Sequence, residues 1–214
     1  LKARTLSAKV VCIGNLTTGG TGKTPAVLLA AQTLRRRNHP VAILSRGYGR
    51  TKGQGEICVL NEDSHISWTE CGDEPWMMNQ ALNGLGVPIL VSPDRTRAGT
   101  QAVTFFNSKV IILDDGFGHR KLKRDLDIIL INASDPFGGR HLIPLGNLRE
   151  PISSLSRAGI VLLTHVDQAT SEELGALRAE IRRANHKAPI LESVLKADFI
   201  FDLKAEKKYP LNHL

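Results

Sequence analysis

Apolar and polar positions alternate in blocks along most of this chain. Short runs dominated by Val, Ile and Leu recur at 9–13, 41–44, 87–91, 110–113, 126–131 and 159–164. Their near-continuous apolarity predicts strands covered on both faces rather than half-solvated ones. Between them, residues 24–36, 74–82, 95–106 and 172–184 suit helices. This alternation predicts an α/β fold: a mostly parallel sheet with helices on both faces. Residues 45–55 and 135–152, rich in Gly with Arg or Pro, read as loops. Ligands of such sheets bind beyond the carboxyl ends of the strands, so the residues that follow each apolar run carry the interest.

The first run leads into Thr17-Thr18-Gly19-Gly20-Thr21-Gly22-Lys23-Thr24, and Pro25 to Ala31 continue as a helix-compatible stretch. Strand, Gly-rich loop and helix in that order is the setting of a P-loop NTPase-like phosphate site. Successive backbone N–H groups curl around phosphates, and the helix N-terminus adds partial positive charge. Lys23 then reaches the β/γ-phosphates of ATP and the Thr24 hydroxyl ligates Mg²⁺. Pro25 suits a first helical turn, where a missing N–H costs nothing. Thr17 departs from the G-x-x-x-x-G-K-[ST] pattern, which has Gly at that place.

Acidic pairs follow two other segments. The run 110–113 ends in Asp114-Asp115, the place where phosphate-loop enzymes hold Mg²⁺. Two adjacent carboxylates are costly unless they share a cation, which supports that reading. Cys71-Gly72-Asp73-Glu74-Pro75 reads first as a helix start, with Asp73 as the N-cap. It also offers the carboxylate that phosphoryl transfer to an alcohol requires. Basic groups cluster in Ser45-Arg46-Gly47-Tyr48-Gly49-Arg50, Asp94-Arg95, His119 to Arg124 and Leu148-Arg149-Glu150-Pro151. Arg46 suits a phosphate, and runs such as 119–124 are commonly solvated faces. Thr164-His165-Val166-Asp167, after a late strand, bears only a loose likeness to a base-reading loop and assigns nothing.

Composition narrows the partners. The 214 residues suffice for one large domain. Net charge of +7 favours anionic partners, and 5% aromatic content argues against a stacking platform for nucleic acid. Cys12, Cys58 and Cys71 form no Cys-x-x-Cys pair, which points to reduced thiols rather than a disulfide or zinc framework. No apolar run approaches the roughly 20 residues of a membrane-spanning helix. The chain starts at Leu1 and enters its first strand early, so a preceding segment is expected.

Taken in order, several motifs resemble the tetraacyldisaccharide 4'-kinase family of lipid A biosynthesis. They are Gly14-Asn15-Leu16-Thr17 with Gly19 to Pro25, Leu44 to Gly49, Gly72 to Pro75, Asp94-Arg95, Asp114 to Phe117, His119-Arg120, Pro144-Leu145-Gly146 and Leu148 to Pro151. The resemblance implies an ATP- and Mg²⁺-dependent kinase, peripheral at the cytoplasmic face of the bacterial inner membrane. Its acceptor would be the 4'-hydroxyl of an acylated glucosamine disaccharide 1-phosphate at an anionic membrane surface. Carried over, Thr17 to Thr24 bind nucleotide, and Lys23, Asp73 and Asp115 form the catalytic set, with Asp73 as general base. Thr24, Glu74 and Asp114 or Asp115 serve the metal, while Arg46, Tyr48, Arg95, His119, Arg149 and Glu150 contact the acceptor. Where the family has Gln, this chain has Gly118. The family's N-terminal amphipathic helix and its later Gly-Ile-x-x-Pro and Asp-His-His segments lie outside the sequence. Residues 1–198 are thus expected to form the kinase-like core and 199–214 a charged tail opening a second lobe. Two alternatives remain open: a non-catalytic nucleotide-binding derivative, and a partitioning-type ATPase, which would need Lys in place of Thr18.

Overall fold

A computed structural model describes residues 3–48, 56–196, 200–202 and 207–210. Gly49 and Arg50 of the expected 45–55 loop, and most of the expected tail, lie outside the described residues. Eight strands form one sheet: β1 (Lys9–Asn15), β2 (Val41–Ser45), β3 (Cys58–Leu60), β4 (Ile89–Val91), β5 (Val110–Asp114), β6 (Leu126–Asn132), β7 (Ile160–Thr164) and β8 (Ile190–Glu192). Their spatial order is β3-β4-β2-β5-β1-β6-β7-β8. Every pairing is parallel except β3 with β4.

The helices are α1 (Lys23–Arg36), α2 (Trp68–Cys71), α3 (Asp73–Ala81), α4 (Arg95–Phe106) and α5 (Ser171–Ala184). Two apolar layers sandwich the sheet. Val27 and Ala31 of α1, Cys71 of α2 and Met78 of α3 pack with Ile13, Ile43 and Ile112. On the other face, Ala98 and Ala102 of α4 and Leu177 and Ile181 of α5 pack with Val10, Cys12 and Leu113. Successive strand residues point to opposite faces, so β1 supplies Cys12 to one layer and Ile13 to the other. Covering both faces is what the uninterrupted apolar runs require.

The helix α4 starts at its predicted residue because the Asp94 carboxylate accepts from the N–H groups of Thr96 and Arg97, both at 3.0 Å. The predicted strand 87–91 shortens to Ile89–Val91. Pro88 has no N–H to donate, although its carbonyl still accepts from Ile43 N at 3.0 Å. Three short strands or helices before the tail escaped the periodicity: the antiparallel edge strand β3, the opposite edge strand β8, and α2, which is set by a Ser67–Glu70 capping box. The tail also contains order, for β9 (Ile200–Asp202) pairs antiparallel with β10 (Lys207–Tyr209).

Buried Asn185 joins the end of α5 to the 3-10 helix Ile152–Arg157. Its amide donates to the carbonyls of Leu155 and Ala158, both at 2.8 Å, and accepts from the N–H groups of Lys187 and Ala188. Asn185→Ala would leave these buried groups unpaired, so unfolding free energy is expected to fall by about 2–4 kcal/mol. An unchanged urea midpoint would refute that role.

Candidate active site

The carboxyl ends of β1, β2, β4, β5, β6 and β7 share one edge of the sheet, and nearly all the candidate residues gather there. After β1 the chain bends through the phosphate loop into α1. Gly19 and Gly22 adopt positive φ, at 110° and 76°. Thr17 does not, which explains why this loop tolerates a side chain there. It is buried and bridges Leu148, and Thr18 N donates to Asn147 O at 2.8 Å. The loop is therefore strapped from outside by the segment after β6. Helix α1 begins at Gly22 with no side-chain cap and no acid in its first turn. Its free N–H groups and its dipole suit an anion.

The acidic groups divide into two sets. Asp114 is buried, accepts a hydrogen bond from Ser45 Oγ at 3.0 Å, and is pushed up to about 6 by burial, with Glu74 and Asp115 adding to the effect. Asp115 takes a left-handed φ of 48°, which turns its carboxylate elsewhere. Arg149 grips both of its oxygens, each at 2.7 Å, and also donates to Asn15 Oδ1. Burial alone would raise the Asp115 carboxyl. The hydrogen bonds and charge of Arg149, helped by Lys23, hold it below the usual range. Sequence reasoning expected adjacent carboxylates to need a shared cation; here Arg149 neutralises one while a hydroxyl satisfies the other. Lys23 Nζ stands 4.0 Å from Asp115 Oδ1, and burial pushes its ammonium below the usual range.

Glu74 reaches the phosphate loop, accepting from Thr24 Oγ1 at 3.1 Å. Asp73 adjoins it at the start of α3 and accepts from Glu74 N at 2.9 Å. The N-cap is Gly72 rather than Asp73, because the chain leaves α2 at a φ of 98° that glycine allows. A Cβ at 72 would also stand 3.0 Å from Tyr48 O, so this glycine lets α3 start against the loop after β2. Thr24, Glu74 and Asp114 offer only oxygen donors. Among the described residues no three acidic, His or Cys side chains form a metal cage. That fits Mg²⁺, which takes one or two carboxylates plus phosphate oxygens and water.

Beside the acids lies a cavity of about 480 Å³ lined by Asn15, Arg46, Tyr48, Arg95, Asp115, His119, Arg149 and Glu150 among others. Arg95 is only 5% exposed, and its Nε has no hydrogen-bond partner among the described residues. Burial and then Arg46 push its pKa down. A buried guanidinium left this poorly paired lacks an anion. Arg46 donates to the Tyr48 hydroxyl at 2.7 Å. His119 Nε2 is buried without a partner among the described residues, and burial followed by the charge of Arg95 lowers its pKa. Glu150 is engaged by Arg157 at 2.6 Å, whose guanidinium lies over Phe117, so part of its carboxylate is already taken. A Cβ at Gly118 would make an ordinary 3.5 Å contact with Glu150, so the backbone there accepts larger residues. Sequence reasoning gave no role to Asn15, Ser45 or Asn147. Asn15 and Ser45 stood at strand ends inside motifs that carry the family resemblance, and Asn147 lay two residues before Arg149.

A strapped phosphate loop, an uncapped α1 and a strand-terminal carboxylate on the neighbouring strand define a P-loop NTPase-type nucleotide protein. The sequence profile of the tetraacyldisaccharide-1-P 4'-kinase family matches residues 1–213, and the chain belongs to that family. The tetraacyldisaccharide 4'-kinase of Elusimicrobium minutum is 46% identical over 100% of this chain and 57% of its own length. That of Anaeromyxobacter dehalogenans is 45% identical over 89% of this chain and 50% of its own. A crystal structure of LpxK from Aquifex aeolicus in complex with ATP matches with a TM-score of 0.76 at 33% identity, covering all of this chain and 62% of that one. The chain thus spans about half the length of the curated relatives it matches.

The Arg149–Asp115 pair predicts a pH signature. Asp115 is held below its ordinary value of 3.8, so the pair's stabilisation is complete above that value. It is lost as the pH falls through the lower folded-state pKa. The stability gap between wild type and Arg149→Leu should be widest near neutrality and shrink below about pH 4. A gap that stays constant in acid, measured by urea unfolding at each pH, would show that the pair contributes no charge-dependent stability.

Proposed function

We propose that this chain carries the donor and acceptor sites of a kinase that transfers the γ-phosphate of ATP to the 4'-hydroxyl of an acylated glucosamine disaccharide 1-phosphate. The observation that carries this reading is the adjacency of two half-sites on one sheet edge. Thr24, Glu74 and the uncapped α1 form one, and the cation-lined cavity with buried Arg95, whose Nε has no partner among the described residues, forms the other. Family membership supports the identity of the acceptor.

In this reading, Lys23 and the N–H groups of residues 18–24 hold the β/γ-phosphates. Thr24, Glu74 and Asp114 hold Mg²⁺, which when bound neutralises phosphate charge. Asp73 accepts the proton of the acceptor hydroxyl as that oxygen attacks the γ-phosphorus, whose bond to the β,γ-bridging oxygen breaks to release ADP. Arg46, Arg95, His119 and Arg149, with Tyr48, orient the phosphorylated acceptor. Asp115 positions Lys23 and Arg149 rather than touching metal. Among the described residues no helix is long and apolar enough to cross a membrane. An acylated acceptor is met at a bilayer surface, and the +7 charge favours an anionic one.

Two measurements test this. Lys23→Ala removes a charge-assisted contact of about 1.5–3 kcal/mol, so calorimetric affinity for Mg·ATP should drop about tenfold or more. Equal affinity of the two proteins would sink the nucleotide assignment. With γ-labelled ATP and the lipid disaccharide 1-phosphate, Asp73→Asn should lose about 10²–10⁴-fold in rate while keeping ATP affinity. Undiminished transfer would leave Asp73 as a mere helix-start residue. If the wild-type chain binds Mg·ATP yet transfers no phosphate, the alternative of a nucleotide-binding derivative replaces the kinase reading.

A further inference from the structure

The segment Thr164-His165-Val166-Asp167 has no part in the phosphate, metal or acceptor sites above, yet it touches the phosphate loop. Thr164 ends β7, is buried, and its hydroxyl donates to Thr21 O at 3.1 Å. The same hydroxyl lies 3.5 Å from Ile131 O and 3.2 Å from His165 Nδ1, a contact whose donor is set by the imidazole tautomer. His165 takes a left-handed φ of 55° and opens a short 3-10 turn, Val166–Gln168. Its ring reaches back to the loop: a Cβ added at Gly22 would stand 3.9 Å from His165 Cε1. The half-buried imidazole is thus pinned by its backbone and by one ring nitrogen, beside the loop that takes the phosphates.

The direction of the nucleotide follows from the charges on the two flanks of that loop. Lys23, Thr24, Glu74 and Asp115 gather on the β5 side, which is where the terminal phosphate and its metal belong. In the strand order, β5 and β7 lie on opposite sides of β1, with β6 between β1 and β7. A triphosphate whose γ end faces β5 therefore directs its nucleoside end toward β6 and β7.

We propose that His165 is the specificity-determining wall of the nucleoside subsite, with its imidazole face against the base. This rests on the nucleotide reading above. Inorganic tripolyphosphate separates the two, because it carries the phosphates without a nucleoside. His165→Asn keeps a residue that tolerates positive φ while removing the aromatic face, and His165→Phe keeps an aromatic face while removing the ring nitrogens.

By calorimetry in Mg²⁺, His165→Asn should weaken ATP binding about tenfold, as loss of one base–aromatic contact does, and leave tripolyphosphate affinity unchanged. His165→Phe should restore most of the ATP affinity. Unchanged ATP affinity in His165→Asn would overturn the proposal. So would an equal loss for both ligands, which would mean that His165 only supports the phosphate loop. A wild-type chain that binds ATP no more tightly than tripolyphosphate would have no nucleoside subsite. A wild-type chain that binds neither would overturn the nucleotide reading and this inference with it.

Discussion

The site depends on the double grip of Arg149 on Asp115. The two residues are far apart in sequence, and their pairing ties the segment after β6 to the ends of β5 and, through Asn15, β1. It also settles a competition. Lys23 stands 4.0 Å from the same carboxylate, close enough to collapse onto it if Asp115 had no other partner. A guanidinium fork meets both carboxylate oxygens at once, which a single ammonium does not. By satisfying Asp115, Arg149 keeps Lys23 from closing on it, and in the proposed reading that ammonium turns to a phosphate. The neighbouring Leu148 and Asn147 strap Thr17 and Thr18, so the same short segment shapes the loop and sets its charge.

Once that pair is made, the charge left over on the edge is uneven. Asp114 is buried with one hydroxyl partner, near Glu74, and its carboxyl is pushed up to about 6. Arg95 is buried with an unpaired Nε a short way along the same edge. A protein without ligands would gain from replacing either group with an apolar one, since buried charges are costly when unpaired. Their persistence side by side is intelligible if a cation completes the first and an anion the second. A metal–triphosphate beside a phosphorylated acceptor supplies both.

Local signals made most of the scaffold legible. The helix α4 was placed to the residue because Asp94 caps it, and β1, β2, β5, β6 and β7 were found because strands buried on both faces are apolar throughout. What stayed hidden was of two kinds. Edge elements of three or four residues, such as β3 and α2, are too short to show a period. Long-range pairings such as Ser45 with Asp114, Thr24 with Glu74 and Arg149 with Asp115 depend on strand order, which no local pattern encodes. The candidate residues were therefore found as types at strand ends, while their partners were not. Adjacent Asp114 and Asp115 looked like one acidic site, and only the left-handed backbone at Asp115 separates them into a buried acid and an ion-paired one.

Strand order then gives the site its direction. Moving from β7 through β6, β1 and β5 to β2 and β4, the edge presents His165, the phosphate loop, the acidic groups and finally the cation-lined cavity. In the proposed reaction these are the nucleoside end, the phosphates, the point of transfer and the acceptor. An in-line transfer needs the leaving and attacking oxygens on opposite sides of the moving phosphoryl group. In the proposed reaction, a parallel sheet whose first strand lies in the middle meets that need by letting donor and acceptor approach from opposite halves of one edge. Asp73 enters at the junction of those halves, where Gly72 lets α3 begin against the loop that carries Arg46 and Tyr48. The position of that one carboxylate thus depends on Gly72, where a side chain would meet both a positive φ and the Tyr48 carbonyl 3.0 Å away.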